Sequence, residues 1–159
     1  MDVKTLVTHP ERCNNCGDCE TVCVKRHSSL TSPELSCIKI LCMSEKDDFF
    51  FPIACKQCEN PPCLAICPKE AIYRDDQINR VLIDRTRCVG CSMCVTACPF
   101  GAVKVDKRKA KSYKCDLCNG DPECVKVCEP FAIEYKDTAQ IPFPNMRRIA
   151  GKLAKLFKL

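Results

Sequence analysis

The sequence predicts a small α+β protein in which bound metal supplements an apolar core. Cysteine accounts for 18 of its 159 residues, a density typical of disulfide scaffolds and metal-cluster proteins. The cysteines recur in four groups of similar spacing, and short stretches with alternating apolar residues lie between the groups. Apolar residues other than cysteine are few for this length, so metal ligation is expected to supply part of the stability.

Four cysteine groups organise the chain. The first and third, CNNCGDCETVC and CVGCSMCVTACP, have the spacing C-x2-C-x2-C-x3-C that bacterial ferredoxins use to bind [4Fe–4S] clusters. The second and fourth, CKQCENPPCLAICP and CDLCNGDPECVKVC, have a middle gap that is two and three residues longer. The sixteen predicted ligands are Cys13, Cys16, Cys19 and Cys23 in group one, Cys55, Cys58, Cys63 and Cys67 in group two, Cys88, Cys91, Cys94 and Cys98 in group three, and Cys115, Cys118, Cys124 and Cys128 in group four.

The spacing suits a cubane cluster, which has four iron corners that each need a thiolate. Three cysteines at short gaps can wrap around one cube, and the fourth lies one helical turn further along the chain. In two-cluster ferredoxins that fourth thiolate binds the other cluster, so each helical turn is expected to tie two clusters together. Pro68 and Pro99 directly follow the last cysteine of groups two and three, where proline favours the end of the turn.

Zinc and disulfides are the alternatives for so many cysteines. Pairs such as Cys88 and Cys91 resemble the C-x2-C units of structural zinc sites, but zinc does not explain a third and a fourth cysteine at fixed offsets in four groups. Disulfides are rare in the cytoplasm. That localisation is expected because the sequence shows neither a signal peptide nor an apolar stretch long enough for a transmembrane segment. Four [4Fe–4S] clusters are therefore the predicted cofactors.

The formal net charge of +5 does not indicate a nucleic-acid partner. Five basic residues within the last fifteen residues account for the whole excess. Sixteen thiolates and four [4Fe–4S]²⁺ cores would bring the whole protein to −3 and residues 1–144 to −8. We therefore expect no nucleic acid among the partners.

Residues 55–106 are predicted to form one complete two-cluster ferredoxin module. AIYR and VLID flank the polar turn DDQINR, and AVKV and SYKC flank DKRKAK, which predicts two hairpins. Groups one and four are left at the two ends, so residues 1–23 and 107–136 would form an outer module into which the inner one is inserted. The spacing alone leaves open the rival pairing of group one with group two and of group three with group four.

Residues 24–54 are predicted to be an insertion with a β-hairpin. Two strand-like stretches, LSCIKILCM and FFFPIAC, flank SEKDD, and Pro52 indicates an edge strand or a strand end. Cys37 and Cys42 fall outside the cluster spacing. We interpret both as small buried apolar residues, with a fifth metal site as the alternative.

Residues 137–159 are predicted to be a linker followed by a basic amphipathic helix. Ile149, Leu153 and Leu156 share one face beside a row of basic residues. Such a helix would dock on a partner or on another copy of this chain, fold back on its own body, or lie on an anionic membrane surface. Docking on protein is favoured because the −8 body offers complementary charge, and head-to-tail contacts between copies through residues 145–159 need not close.

The cysteine motifs resemble those of the four-cluster electron-transfer subunits of complex redox enzymes. CKQCENPPCLAICP, CVGCSMCVTACPFGAV and the YKCDLC–DPECVKVC run carry the resemblance, which covers residues 1 to about 136. That group includes the iron–sulfur subunits of dimethyl sulfoxide reductase, formate dehydrogenase, hydrogenase complexes and carbon monoxide dehydrogenase. The chain looks most similar to the small subunit of tungsten-dependent aldehyde oxidoreductases. The resemblance implies that group one pairs with group four and group two with group three.

The implied pairing assigns the ligands of four clusters, because the fourth cysteine of each group crosses to the paired group. Cluster A would take Cys13, Cys16, Cys19 and Cys128, cluster B would take Cys115, Cys118, Cys124 and Cys23, cluster C would take Cys55, Cys58, Cys63 and Cys98, and cluster D would take Cys88, Cys91, Cys94 and Cys67. The fold would then consist of two bacterial ferredoxin-like 2[4Fe–4S] modules, one inserted in the other, with a C-terminal amphipathic helix.

The expected function is electron transfer by a subunit that turns over no substrate itself. The resemblance implies a larger catalytic partner, with a tungsten or molybdenum pterin enzyme favoured over a hydrogenase or a carbon monoxide dehydrogenase. A free soluble polyferredoxin carrier is the alternative. An autonomous enzyme is disfavoured because the sequence has no C-x3-C-x2-C triplet, no glycine-rich phosphate loop and no C-x-x-C-H haem site. The two histidines, His9 and His27, also lie outside any Cys–His–Asp context.

Overall fold

The computed structural model describes residues 4–27, 35–44 and 49–138, and this part is a small α+β structure. Its strands are β1 (Lys4–Thr8), β2 (Lys39–Ser44), β3 (Phe49–Ile53), β4 (Ile72–Asp75), β5 (Arg80–Ile83), β6 (Lys104–Asp106), β7 (Lys111–Tyr113) and β8 (Ile133–Asp137). Its α-helices are α1 (Asp18–Arg26), α2 (Pro62–Ala65), α3 (Met93–Ala97) and α4 (Glu123–Lys126). The strands form four separate two-stranded antiparallel ladders. The predicted α+β class is confirmed.

The two ends of the described chain are joined by the pairing of β1 with β8. Lys4 lies opposite Asp137 and Thr8 opposite Ile133, so the ladder is five residues long on each strand. The side chain of Leu6 in β1 is buried. Helix α1 packs against α4 in the same region. Cysteine groups one and four therefore lie next to each other although they are far apart in sequence.

The hairpins predicted around the two polar turns are present as β4–β5 and β6–β7. Helix α2 packs against α3, so groups two and three also lie together. Gly90, in the loop of group three, touches the turn between β6 and β7. A Cβ at this position would lie 2.2 Å from the carbonyl oxygen of Ala110, so only glycine allows this approach.

The hairpin predicted in the insertion is present as β2–β3, with a bulge between Cys42 and Ser44. Pro52 lies inside β3, opposite Ile40, and is buried. A proline is tolerated here because each strand of a two-stranded ladder has one free edge, where no N–H is needed.

Two apolar cores support the ladders, and cysteine belongs to both. One core contains Leu6, Tyr113 and Leu117 together with cysteines of groups one and four, and the other contains Ile72 and Val81 together with cysteines of groups two and three. The sequence predicted that both extra cysteines would be buried. Cys37 is buried, which confirms the prediction for that residue.

The prediction of burial is wrong for Cys42, which is exposed. Ile40 lies on the same face of β2 as Cys42 and packs against the first apolar core. Cys42 lies two residues further along the strand. The predicted amphipathic helix of residues 145–159 lies outside the described residues. Within the described ranges, no helix is long and apolar enough to cross a bilayer.

Candidate metal centres

All eighteen cysteines fall within the described residues, and all are free thiols. Among the sixteen in the four groups, only Cys16 and Cys91 are exposed. The others are buried or half-buried, as cysteine usually is, so burial alone does not mark them as ligands.

Four of these thiols line one small cavity, of about 20 Å³, beside α2. They are Cys55, Cys58 and Cys63 of group two and Cys98 of group three. Cys63 lies in α2 and Cys98 directly follows α3, so the packing of these helices brings the two groups together. Most of the other lining residues are apolar, and they include Val81, Pro62, Phe100 and Val103.

A second small cavity, also of about 20 Å³, has the reciprocal composition. Cys88, Cys91 and Cys94 of group three line it together with Cys67 of group two. Each cavity thus takes three thiols from one group and the fourth from the other. The crossed assignment of clusters C and D requires this proximity.

The thiols of the outer groups influence one another in the same crossed way. Burial, helped by the negative charges of Glu20, Cys16, Cys128 and Cys13, raises the pKa of Cys19 to about 12. Cys128 belongs to group four, whereas Cys13, Cys16 and Cys19 belong to group one. The last thiol of group four therefore influences Cys19, and both belong to the first apolar core, against which Cys13 packs.

The reciprocal neighbourhood surrounds Cys124 of group four. Burial raises its pKa to about 12, and the charges of Cys118, Cys23 and Cys19 contribute in the same direction. Cys23 is the last cysteine of group one. The thiols assigned to clusters A and B are thus close enough to repel one another when ionised, which a shared metal cluster would relieve.

Backbone amides donate hydrogen bonds to four thiol sulfurs of groups two, three and four. The donor–acceptor pairs are Ala71 N to Cys67 Sγ (3.3 Å), Ala102 N to Cys98 Sγ (3.4 Å), Ser112 N to Cys88 Sγ (3.4 Å) and Leu117 N to Cys115 Sγ (3.4 Å). Thiolates in sets of four, with amide donors and largely apolar walls, form the donor set that a [4Fe–4S] cluster needs. The residues present therefore fit this cofactor.

The lengthened loop of group four has an unusual backbone. Leu117, Cys118 and Asn119 have left-handed φ angles of +58°, +49° and +59°, and Gly120 follows at +92°. The carboxylate of Asp116 accepts a hydrogen bond from the Cys118 amide at 2.9 Å, which helps to hold this turn. Left-handed residues other than glycine cost about 1–2 kcal/mol each, and such strain concentrates at functional sites.

The chain matches the 4Fe-4S dicluster domain family over residues 46–138, which is more than half of its length. It belongs to this family. The prediction of an iron–sulfur electron-transfer protein of the ferredoxin type is confirmed. With sixteen cysteines in four groups of four, this dicluster-family protein has four [4Fe–4S] clusters as its cofactors.

Several relatives of this dicluster-family chain are similar over most of their length. An uncharacterized ferredoxin of Methanocaldococcus jannaschii is 35% identical, with 98% of this chain and 86% of the relative aligned. The putative electron transport protein YsaA of Escherichia coli is 33% identical, with 90% and 96% aligned. The polyferredoxin-like subunit of the aliphatic sulfonate oxidoreductase of Pyrococcus furiosus is 32% identical, with 94% and 83% aligned.

A solved structure with a similar fold is the active site complex BamBC of benzoyl-coenzyme A reductase. One of its chains superposes with a TM-score of 0.51 at 22% identity, covering 100% of this chain and 94% of that chain. At this identity the likeness concerns the fold alone.

Cys37 is a functional neighbour of a ligand that sequence reasoning missed. A hydrogen bond from the Cys37 thiol lowers the pKa of Cys23 to about 6, against the opposing effect of burial. The amide of Cys37 also donates to the sulfur of Cys23 at 3.3 Å. The spacing offered no signal for this contact, because it links α1 to the residues just before β2.

The two histidines also contact neighbouring segments. Nε2 of His9 lies 2.6 Å from Oε2 of Glu134, which links the end of β1 to β8. Nε2 of His27 lies 3.4 Å from Oδ1 of Asp116, and hydrogen bonds to Asp116 and Cys118 raise the pKa of the imidazole to about 10. His27 thereby belongs to the surroundings of group four.

Proposed function

We propose that this protein relays single electrons between a larger catalytic subunit and another redox carrier or subunit, and that it has no catalytic site of its own. The observation that supports the proposal is a pair of cavities, each lined by four thiols that come from both group two and group three. Bound [4Fe–4S] clusters supply one-electron redox chemistry. The residues of this chain bind them, exclude water and set the surrounding charge.

The proposed ligand sets are those of clusters A to D, and they imply two modules. Cavities lined by four thiols support clusters C and D. Clusters A and B are supported by the contribution of Cys128 to the raised pKa of Cys19 and by that of Cys23 to the raised pKa of Cys124. The inner module would comprise residues 55–106. The outer module would combine residues 1–23 with 107–136, a division that the β1–β8 ladder supports.

A permanent catalytic partner is the favoured setting. The Pyrococcus furiosus relative is a subunit of an aliphatic sulfonate oxidoreductase, and its likeness spans 94% of this chain. Together with the resemblance to tungsten aldehyde oxidoreductase subunits, this favours a tungsten or molybdenum enzyme in the cytoplasm. The predicted helix of residues 145–159 would contribute to docking on that partner or on another copy of the chain.

A free polyferredoxin carrier is the second candidate. The Methanocaldococcus jannaschii relative is a ferredoxin by its name, and the likeness covers 98% of this chain. A carrier and a subunit share the same cofactors, so they differ only in whether a partner stays bound.

The experiment that separates these candidates is purification of the tagged chain from its native host without oxygen, followed by assay of metals in all co-purifying proteins. We expect about sixteen irons per chain, together with tungsten or molybdenum in a larger partner. The same iron content without any partner would favour the free carrier. Zinc in place of iron would overturn the iron–sulfur function itself.

A further inference from the structure

Lys114 is a buried, positively charged residue. It lies where the inner cysteine groups, two and three, meet the outer groups, one and four. It follows β7 and directly precedes Cys115, and only 8% of its surface is exposed. It also lines the cavity formed by Cys55, Cys58, Cys63 and Cys98. A buried charge is costly unless a compensating negative group lies nearby.

The ammonium group of Lys114 has three hydrogen-bond acceptors, as many as it has N–H donors. It donates to the carbonyl oxygen of Val81, to Oε1 of Gln57 at 3.3 Å and to the carbonyl oxygen of Cys115 at 3.1 Å. None of these three acceptors is charged. They fix the position of the ammonium group without neutralising it.

Gln57 is the residue that holds this arrangement together. It is 3% exposed, lies between Cys55 and Cys58 in group two, and reaches Cys115 in group four. Its Nε2 donates to the carbonyl oxygen of Cys115 at 2.7 Å, and its Oε1 accepts from the amide of Val81 at 2.8 Å. Both ends of the amide are therefore committed, so the side chain cannot turn away from Lys114.

The thiols around Lys114 belong to two proposed clusters. Lys114 lines the same cavity as Cys55, Cys58, Cys63 and Cys98, the ligands of proposed cluster C. It also directly precedes Cys115 of proposed cluster B and donates to the carbonyl oxygen of that residue. Bound thiolates at these positions would carry the negative charge that the ammonium group offsets.

We propose that Lys114 is a positioning residue for electron transfer, whose ammonium group, fixed by Gln57, is the internal counter-charge shared by clusters B and C and raises the reduction potential of both. The inference rests on the proposed ligand sets. A [4Fe–4S] cluster with four thiolates becomes more negative when it accepts an electron. A fixed cation beside it stabilises the reduced form, and burial prevents water and salt from screening the effect.

The test is a redox titration of the holoprotein, followed by the electron paramagnetic resonance signals of the reduced clusters. In Lys114→Met we expect the midpoint potentials of two of the four clusters to fall, and those of the others to stay unchanged. The expected change is about tenfold in the ratio of reduced to oxidised cluster, which is about 59 mV for a one-electron couple. Lys114→Arg, which keeps the charge, should restore most of the shift.

Lys136→Met is the matched control, because it removes the same charge from an exposed side chain on β8 that pairs with Glu134 at 2.8 Å. Solvent screens this site, so no potential should move. If Lys114→Met loses iron, Gln57→Glu decides the question, since a carboxylate against the ammonium should also lower the potentials of the same two clusters.

Two results would overturn the inference. One is unchanged potentials in a variant that retains all its iron, and the other is an equal shift of all four clusters. The titration of the unmodified protein separates this failure from that of the proposed function. Fewer than four clusters there would sink both proposals, whereas four clusters without a shift would sink only the role of Lys114.

Discussion

Among single residues, Cys37 differs from the sixteen cysteines of the four groups because it donates hydrogen bonds to one of them, Cys23. It is buried, and both its thiol and its amide donate hydrogen bonds to Cys23. Hydrogen bonds of this kind stabilise a thiolate that is about to bind metal. Cys37 therefore acts as a supporting residue and is not expected to be a ligand.

The prediction that follows compares two substitutions. Cys37→Ala should keep about sixteen irons per chain, because the ligands and the Cys37 amide remain in place. Cys23→Ala should lose up to about four irons, since it removes one of the four thiolates that a cubane needs. Iron and protein assays on the anaerobically purified variants measure both. Loss of a whole cluster from Cys37→Ala would return the fifth metal site to consideration.

The residues that sequence reasoning found and those it missed differ in a physical way. The sixteen cysteines were predictable because their spacing along the chain is itself the chemical requirement. Gln57 and Lys114 are separated by 57 residues, and Ser112 donates to Cys88 across a gap of 24. Such contacts depend on how the hairpins fold against the loops, which no local pattern records.

Among the elements, the hairpins were predicted correctly and their ends were not. The strand AVKV was expected to begin at Ala102, but β6 begins at Lys104. The amide of Ala102 donates to the sulfur of Cys98 and is not available for a ladder. In the β4–β5 hairpin the ladder extends into the expected turn, because Asp75 and Arg80 pair through a 2.8 Å ion pair.

The contact between the group three loop and the β6–β7 turn gives a prediction at this scale. Gly90→Ala should destabilise the protein by more than Gly101→Ala, although both glycines have left-handed φ angles, +71° and +59°. Gly101 has open space where the methyl group would go, so its substitution should cost about 1 kcal/mol of backbone strain. In Gly90→Ala the new methyl group would also collide with the carbonyl oxygen of Ala110.

The measurement for this pair is the temperature at which the visible absorbance of the bound clusters is lost. We expect the order unmodified protein, Gly101→Ala, Gly90→Ala, from highest to lowest. Equal temperatures for the two variants would mean that the turn moves aside at little cost, contrary to the close approach described above.

For the whole molecule, cofactor loading reverses the sign of the charge. The chain alone carries +5, and each [4Fe–4S]²⁺ bound by four thiolates changes this by −2, which gives −3 with four clusters. Isoelectric focusing without oxygen should therefore place the holoprotein on the acidic side of neutrality and the apoprotein on the basic side. A preparation that stays basic while holding sixteen irons would contradict the assignment of sixteen thiolates.

The β1–β8 ladder also has a consequence for the order of events during synthesis. Lys4 is made 133 residues before its partner Asp137, so this ladder cannot close until that whole stretch has been synthesised. At ~5–20 residues per second, the early cysteines wait for several seconds before Cys128 exists. During that interval they are accessible to oxidation and to the wrong metal. Assembly of the clusters that use those thiols therefore depends on the cell keeping them reduced and metal-free until Cys128 has been made.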